Sequence, residues 1–119
     1  MAIFNQVNTV TKFTKSVGAA LVTGGTDVLT NVAASGKAIV VQSIRITNID
    51  GNNPVDITCT VYKAAVTTSF KLLGTISVAA HAVLEVLSRP LYLEEGDKIN
   101  LVAAANGKAE AIISYDELY

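Results

Sequence analysis

The chain has 119 residues, a length that suits one domain with a single core. Hydrophobic residues make up 50% of it and charged residues 16%, against roughly 25% charged in a typical soluble domain, so part of the surface is expected to contact protein instead of water. The net charge of −1 excludes the basic footprint of a nucleic-acid-binding protein, and no apolar run reaches the roughly 20 residues of a membrane-spanning helix.

The N-terminal part of the chain alternates only in places between apolar and polar residues. Its opening, MAIFNQVNTVTKF, lacks the basic start and apolar middle of a signal peptide, so we expect a soluble protein made in the cytoplasm. We predict an arm over residues 1–16 that orders against a neighbouring subunit, with Phe4 and Phe13 as candidate interface residues. A first strand is expected near residues 17–22, and a single β-sandwich domain over residues 17–119.

From about residue 38 onward the alternation has a period of two, which is typical of strands with one buried face. The clearest example is VDITCTVYK, which is a poor helix and a good half-buried strand. Its residues predicted to face the core are Val55, Ile57, Cys59 and Val61. The next segment predicts a second strand in which Leu72, Gly74, Ile76 and Val78 share one face and Leu73 lies on the other.

The remaining strands are separated by turn sequences rich in glycine, asparagine and aspartate. They are predicted at residues 27–32, 37–49, 82–89, 98–105 and 110–118. The turns between them read TGGTD, ASGK, DGNNP, EEGDK and NGK. About seven or eight short strands at this spacing predict an all-β fold, an antiparallel β-sandwich, of which the jelly roll is one form.

The segment PLYLEEGDKINL brings three carboxylates close together in sequence, Glu94, Glu95 and Asp97. Consecutive residues of an extended chain face opposite sides, and the segment lacks the alternating oxygen ligands and distal Glu of an EF-hand loop. We interpret it as a solvated turn in which Asp97 accepts hydrogen bonds from local backbone amides. The oxygen-rich segment DGNNP, residues 50–54, is likewise interpreted as a loop that joins two strands.

Other reactive side chains occur singly. His81 is the only histidine, and a metal site or a catalytic dyad would need a second strong ligand or nucleophile beside it. Cys59 is the only cysteine, which excludes an internal disulfide, and its apolar strand face predicts a buried, unreactive thiol. The segment VTGGTD lacks the helix and the lysine of a phosphate loop. We therefore predict no enzyme, no cofactor and no metal.

The chain has four tyrosines and no tryptophan. Outward-facing tyrosines anchor protein interfaces or stack on sugars, because one end of the side chain is apolar and the other is polar. Tyr62 and Tyr92 therefore join the two arm phenylalanines as candidate interface residues. Packing within the fold is the competing interpretation of the tyrosines.

Two long segments, GKAIVVQSIRITNIDGNNPVDITCTVYK and LLGTISVAAHAVLEVLSRPLYLEEGDKINLVAAANGKAEAIISYDEL, resemble small virion structural proteins of tailed bacteriophages. In those proteins a SIRITN strand, a PLYLEEGD corner and a closing ISY(D/E)E strand recur in this order, and the likeness spans residues 36–118. The resemblance implies a β-sandwich subunit carried in many copies on the virion, decorating or cementing the capsid. It implies homo-oligomers and contacts with other virion proteins such as the major capsid protein, without nucleic acid or membrane. Attachment at the neck or tail is the alternative within this class.

A glycan-binding or receptor-binding sandwich is the competing functional class. Its shallow polar and aromatic site would combine Tyr62 or Tyr92 with the loop residues Asp50, Asn52 and Asn53. An enzyme is a weaker alternative, because neither a nucleophile elbow nor a dyad containing histidine is present in the sequence.

Overall fold

A computed structural model describes residues 11–119, and within them the chain forms nine β-strands and one turn of 3-10 helix. The strands are β1 (Lys12–Ala20), β2 (Thr26–Thr30), β3 (Ala38–Asn48), β4 (Val55–Lys63), β5 (Thr68–Val78), β6 (Val83–Glu85), β7 (Leu91–Leu93), β8 (Lys98–Ala103) and β9 (Ala109–Leu118). The 3-10 turn, Ala64–Val66, joins β4 to β5. A helix of the length and apolarity needed to span a membrane does not occur in the described part of the chain.

The strands form two antiparallel sheets that pack face to face. The five-stranded sheet has the order β1-β9-β3-β6, and β7 pairs with the same strand β3 as β6 does. The four-stranded sheet has the order β2-β8-β4-β5. The prediction of an all-β antiparallel sandwich is therefore confirmed.

The strand pairs are nested within one another along the chain. The first strand pairs with the last, β2 pairs with β8, β3 pairs with β6 and β7, and β4 pairs with β5. The chain is thus one long hairpin, with its tip at the 3-10 turn, whose paired strands fall alternately in the two sheets. Because β6 and β7 share one strand position, this topology has the eight positions of a jelly roll.

The core lies between the inner faces of the two sheets and is dominated by β-branched side chains, which pack well on a pleated surface. The residues predicted to face inward from β4 are all buried, as are Ala111, Ile113 and Tyr115 of β9. Other fully buried members are Leu21, Val41, Ile44, Ile46, Leu93, Ile99 and Leu101. The period of two therefore identified the buried faces of the central strands.

Strand β5 departs from the predicted alternation because it carries two register shifts against β4. Cys59 lies opposite Leu73 while the adjacent Thr60 lies opposite Lys71, which makes Leu72 an extra residue in the ladder. Such a bulge bends the strand and re-aims its side chains. Leu72 and Leu73 are both half-buried and both pack against the core. The prediction that they face opposite sides is wrong.

The segment predicted as one strand over residues 82–89 is shorter and is followed by a separate strand, β7. The carboxylate of Glu85 accepts hydrogen bonds from the backbone N–H groups of Ile44, at 2.9 Å, and Leu87, at 3.3 Å. The Glu85 side chain thus takes the place of a backbone acceptor in the ladder between β3 and β6. Pro90, just before β7, has no N–H group to donate.

The first strand begins earlier than the predicted residues 17–22. Strand β1 pairs with β9 over its whole length without a register shift. Its alternation is hard to recognise because Lys15 occupies an inward position opposite Tyr115. The boundary expected after residue 16 therefore falls inside β1, and the backbone of Thr11 is also bonded to Tyr119 of the same chain. Only residues 1–10 remain for an arm, which stays a prediction. Residues 1–10, with Phe4, lie outside the described part.

A buried asparagine ties the loops together at each end of the sandwich. Asn31 donates from Nδ2 to the carbonyl oxygens of Lys37 and Leu93, at 2.9 and 3.0 Å. Its Oδ1 accepts a hydrogen bond from the Ser35 hydroxyl at 2.7 Å. These bonds join the loop after β2 to β7 and satisfy carbonyl groups that would otherwise be costly to bury.

Asn48 has the equivalent role at the opposite end, where it is fully buried. Its Nδ2 donates to the carbonyl oxygens of Asn53 and Val78, both at 2.9 Å, and its Oδ1 accepts from the Asp50 amide at 2.8 Å. The DGNNP loop is therefore anchored to the end of β5. Its interpretation as a connecting loop agrees with the structure.

The adjacent isoleucines of β9 provide a matched test of the two sheet faces. We expect Ile113→Ala to lower the free energy of unfolding by about 2–5 kcal/mol, because the side chain is fully buried. Ile112→Ala should change it by less than about 0.5 kcal/mol, because Ile112 is 53% exposed. Chemical denaturation of dilute protein measures both, and equal losses would contradict the register of β9.

Candidate interaction surfaces

The turn between β7 and β8 is not the solvated corner that the sequence predicts. Asp97 is only 1% exposed, and its carboxylate accepts hydrogen bonds from the backbone amides of Glu94 and Ala64, each at 2.9 Å. The Lys63 ammonium group also donates to it. The local bond from Glu94 agrees with the prediction, whereas the burial of Asp97 contradicts it, because the turn between β4 and β5 packs over this corner.

Gly96 allows the two turns to approach one another. Its φ of +89° lies in the left-handed region, and a Cβ atom at this position would come within 2.7 Å of the Ala64 Cβ. A side chain here would push the two turns apart. The glycine thus serves the packing of the corner.

The buried ion pair at this corner shifts both of its partners toward their charged forms. Burial alone would raise the pKa of Asp97, but the hydrogen bonds from Lys63, Ala64 and Glu94 outweigh it and hold the pKa below its ordinary value. The hydrogen bond to Asp97 likewise raises the pKa of Lys63. The arrangement stabilises a fixed charge pair.

The three carboxylates of this segment do not converge on one point. The Glu94 side chain is 77% exposed, while a Glu95 carboxylate oxygen accepts a hydrogen bond from the Gly36 amide at 2.8 Å. Among the described residues, no group of three or more His, Cys, Asp or Glu side chains is placed to hold a metal ion. The segment acts as a structural corner between three loops.

The tyrosines and the DGNNP loop do not form a common site. Asp50 and its neighbours precede β4, whereas Tyr62 lies near the end of the same strand, roughly 25 Å away at about 3.3 Å per residue. Tyr92 pairs with Val40 at the start of β3, far from the end of that strand at Asn48. Neither tyrosine is brought together with the loop as the glycan-binding alternative requires.

The Asp50 carboxylate is instead occupied within its own loop. It accepts a hydrogen bond from the Asn52 amide at 2.9 Å and lies 3.6 Å from the Lys108 ammonium group. The Asn52 amide is the main cause of the lowered pKa of Asp50. His81 is exposed nearby, with a φ of +61°.

The candidate interface residues that the structure describes lie on different surfaces. Tyr92 is 64% exposed on the outside of the five-stranded sheet, whereas the half-buried Tyr62 belongs to the other sheet, with the Lys98 ammonium group 5.4 Å from its ring. Phe13 is 46% exposed, and its ring centroid lies 5.7 Å from that of Tyr119. These residues do not form one continuous patch.

A larger surface is formed by the outward-facing residues of the five-stranded sheet, which we name the outer sheet face. Its members are Ser16, Gly18 and Ala20 of β1, Glu110, Ile112 and Ser114 of β9, Ser43, Arg45 and Thr47 of β3, and Val83 and Glu85 of β6. Small residues line β1, so the face is low there. Ile112 and Val83 are exposed by 53% and 59%.

Two shallow depressions lie on the outer sheet face, on either side of the ridge formed by Glu110 and Ile112. One, with a volume of about 330 Å³, lies over the small residues of β1, and the other, about 240 Å³, lies toward β3 and β6. The sequence holds one signal of this surface. Ile112 and Ile113 are adjacent in a strand, so only one of them can face the core.

Cys59 is fully buried on the inner face of β4, as predicted. Burial raises the pKa of its thiol to about 12, because the thiolate would be poorly solvated there. The thiol is therefore inert in the folded chain.

The fold as a whole is shared with subunits of two known assemblies. The chain is similar to a subunit of Bacillus endospore appendages, a family of disulfide-linked pili, with a TM-score of 0.56 and 13% identity over 100% of this chain and 95% of that one. It is also similar to a chain of the T13 IBDV viral particle, with a TM-score of 0.52 and 10% identity over 99% of this chain, and it spans 35% of that chain. No protein-family model and no curated protein matches the sequence. At these identities the likeness shows the fold.

The buried ion pair generates a prediction for stability and its pH dependence. Asp97→Asn should lower the free energy of unfolding by about 2–4 kcal/mol near pH 7, because it leaves Lys63 without its buried partner. Since folding lowers the pKa of Asp97 from its ordinary 3.8, its contribution is present above that value and is lost as the pH falls below it. Urea unfolding from about pH 7 to about pH 3 should therefore show the difference from the original chain shrinking in acid.

Glu94→Gln is the matched control, because it removes an exposed carboxylate that lies 3.5 Å from the same lysine. We expect a change below about 0.5 kcal/mol at either end of the pH range. An effect as large as that of Asp97→Asn would show that net charge, and not the buried pair, governs the stability.

The burial of Cys59 predicts that a thiol reagent labels the chain only after unfolding. In native buffer the labelling rate should follow the rate at which the chain unfolds or the population of the unfolded chain. In denaturant the labelling should be complete within the mixing time. Rapid labelling of the native protein would contradict the placement of Cys59 in the core.

Proposed function

We propose that this chain is a structural subunit of a virion, of the kind that decorates or cements a capsid by contacts between subunits. The observation that carries the proposal is the set of eleven large apolar side chains that are exposed, within the described residues, on a sandwich with few charges. An exterior of this kind is suited to burial against protein. The proposed role of the chain is therefore assembly and not catalysis.

Exposed large apolar side chains occur on both sheets and on several loops. They are Phe13, Val22, Val32, Ile49, Val66, Phe70, Ile76, Val83, Tyr92, Ile112 and Tyr119. Single exposed apolar residues are normal, but so many on a chain with only 16% charged residues would favour association. A net charge of −1 also provides little repulsion between copies.

The likeness to known structures supports an assembling role. Both neighbours reported above come from assemblies, one a pilus and the other a viral particle. A fold alone does not decide a function, since one fold serves many. The support here is that the jelly roll, the apolar exterior and the resemblance to phage virion proteins favour the same class.

The open edge of β1 is a place where neighbouring subunits can join. One side of β1 pairs with β9, and in the described part no strand pairs with the other side. An unpaired edge accepts an added strand through its free N–H and C=O groups. Residues 1–10 of a neighbouring subunit, including Phe4, are the proposed donor.

Assembly by this chain would be non-covalent. Its only cysteine is buried in the core, so the disulfide linkage named for the Bacillus appendages has no counterpart here. Many weak contacts, repeated over a particle, add through avidity. Partners would be other copies of the chain and other virion proteins such as a major capsid protein.

Two alternatives share the assembling role. A subunit of the neck or tail would occur as a ring at low copy number, whereas a decoration subunit occurs at high copy number. A subunit of a surface filament is favoured by the likeness to the appendage subunit over nearly the full length of both chains. Electron microscopy of the purified protein, with its copy number in any particle that contains it, separates these forms.

The proposal is tested by the solution mass of the purified chain. Light scattering over a range of concentrations is expected to show oligomers that grow with concentration. A chain that remains monomeric at millimolar concentration, and that binds no particle, would contradict the assembling role.

The arm is tested by deletion of residues 1–10, which leaves β1 intact. We expect a chain with unchanged unfolding free energy and at least about tenfold weaker assembly, because the added strand is lost. The single change Phe4→Ser should weaken assembly in the same direction. A truncated chain that assembles as well as the full chain would remove the arm from the proposal.

A further inference from the structure

We propose that the outer sheet face binds the same face of a second copy of this chain, with Ile112 of each copy seated in the other copy's depression between Gly18 and Glu110. This inference rests on the proposed function, because it names a contact through which the subunits assemble. It is distinct from the arm, which uses the edge of the sheet and not its face.

The outer sheet face carries both a projection and a depression that fits it. Ile112 projects from β9 and is 53% exposed. Beside it, the depression of about 330 Å³ is lined by Gly18, Ala19, Ala20, Glu110, Ala111 and Ile112. Packed sheets bury their apolar side chains by interdigitation, so an isoleucine from an opposing sheet can occupy the space that the small residues leave.

The same face carries one charge of each sign without an internal partner. Arg45 and Glu110 are both exposed, and within residues 11–119 neither forms an ion pair. They lie on adjacent strands, since Arg45 is opposite Ile112 and Glu110 is opposite Thr47. A face with both charges is complementary to itself.

The positions of these residues are consistent with a two-fold axis. Neighbouring strands lie about 4.8 Å apart, and alternate residues about 6.8 Å apart along a strand. On this grid we place a two-fold axis in the contact plane, midway between Arg45 and Glu110 and perpendicular to the line that joins them. Rotation about this axis places each Arg45 over the other copy's Glu110. The same rotation places each Ile112 over the other copy's depression between Gly18 and Glu110. Charge pairing and apolar packing are therefore satisfied by one arrangement.

A second copy is the occupant that these features favour. A different protein that binds this face would need a depression to receive Ile112 or a projection to enter the depression, and a charge opposite to that of Arg45 or Glu110. A two-fold contact uses these four features at once, because each of them meets its complement. The contact involves few charges, so it is expected to be weak in isolation and effective when repeated.

Gly18→Leu tests the depression. A Cβ atom at Gly18 would lie 3.5 Å from the Ala111 carbonyl oxygen and 3.7 Å from the Ile112 Cγ1, which are ordinary contacts, so the folded chain can accept a side chain there. The longer side chain should fill the space and weaken self-association at least about tenfold. Gly74→Leu is the matched control on the other sheet, where a Cβ would meet only the Lys71 Cδ, at 3.7 Å.

Charge reversal tests the pairing. Arg45→Glu and Glu110→Arg should each weaken self-association about tenfold, because each places like charges together. The double variant restores opposite charges across the contact and should return to within about threefold of the original chain. Asp56→Arg, on the exterior of the four-stranded sheet, is the control for a change of charge alone.

Sedimentation velocity measures the dissociation constant for each variant, and urea unfolding confirms that each variant is folded. If the original chain assembles while Gly18→Leu and the charge reversals assemble equally well, the inference is wrong and the proposed function stands. If only the arm variants weaken assembly, the contact belongs to the arm and the inference is likewise wrong. If the original chain never associates, the proposed function itself is contradicted. Failure of the double variant to recover would overturn the two-fold pairing of Arg45 with Glu110.

Discussion

The register of β9 between β1 and β3 is the constraint on which the rest of the structure depends. This one strand pairs with the first strand over nine positions and with β3 over ten. Because side chains alternate along a strand, the same register turns Ile113 into the core and Ile112 toward the outer sheet face. A slip of one residue would exchange the two sets. The core and the candidate assembly surface are therefore set by the same backbone hydrogen bonds.

The ends of the sandwich depend on buried polar groups that have their partners. Asn31 and Asn48 each satisfy two carbonyl groups, and Asp97 joins two turns through a lysine and two amides. These groups would be costly to bury alone, but with their partners they hold the loops in one arrangement. The polar residues that first suggest a reactive corner thus serve the architecture. Loops held in this way would lose little further order if the chain associates as proposed.

The proposed function rests on the surface of the sandwich. If the chain assembles as proposed, the exposed edge at β1 and the outer sheet face would join subunits without covalent links, because Cys59 is confined to the core. The edge and the face involve different chemistry. The edge would bind through backbone hydrogen bonds, and the face would bind through side-chain packing and charge pairing. One subunit could therefore use both proposed contacts at the same time, as a lattice would require.

The approximate positions of β2, β3, β4, β8 and β9, the all-β class and the buried faces of β4 and β9 were determined by the sequence alone, because a period of two is a property of neighbouring residues. The bulges of β5, the early start of β1 and the burial of Asp97 were decided only by the tertiary structure. Each depends on a strand or turn distant in the chain: Asp97 is buried by a turn about thirty residues before it, and β1 is completed by a strand about a hundred residues later. Local pattern carries no record of such contacts, so it identified the strands and not the surface that they build together.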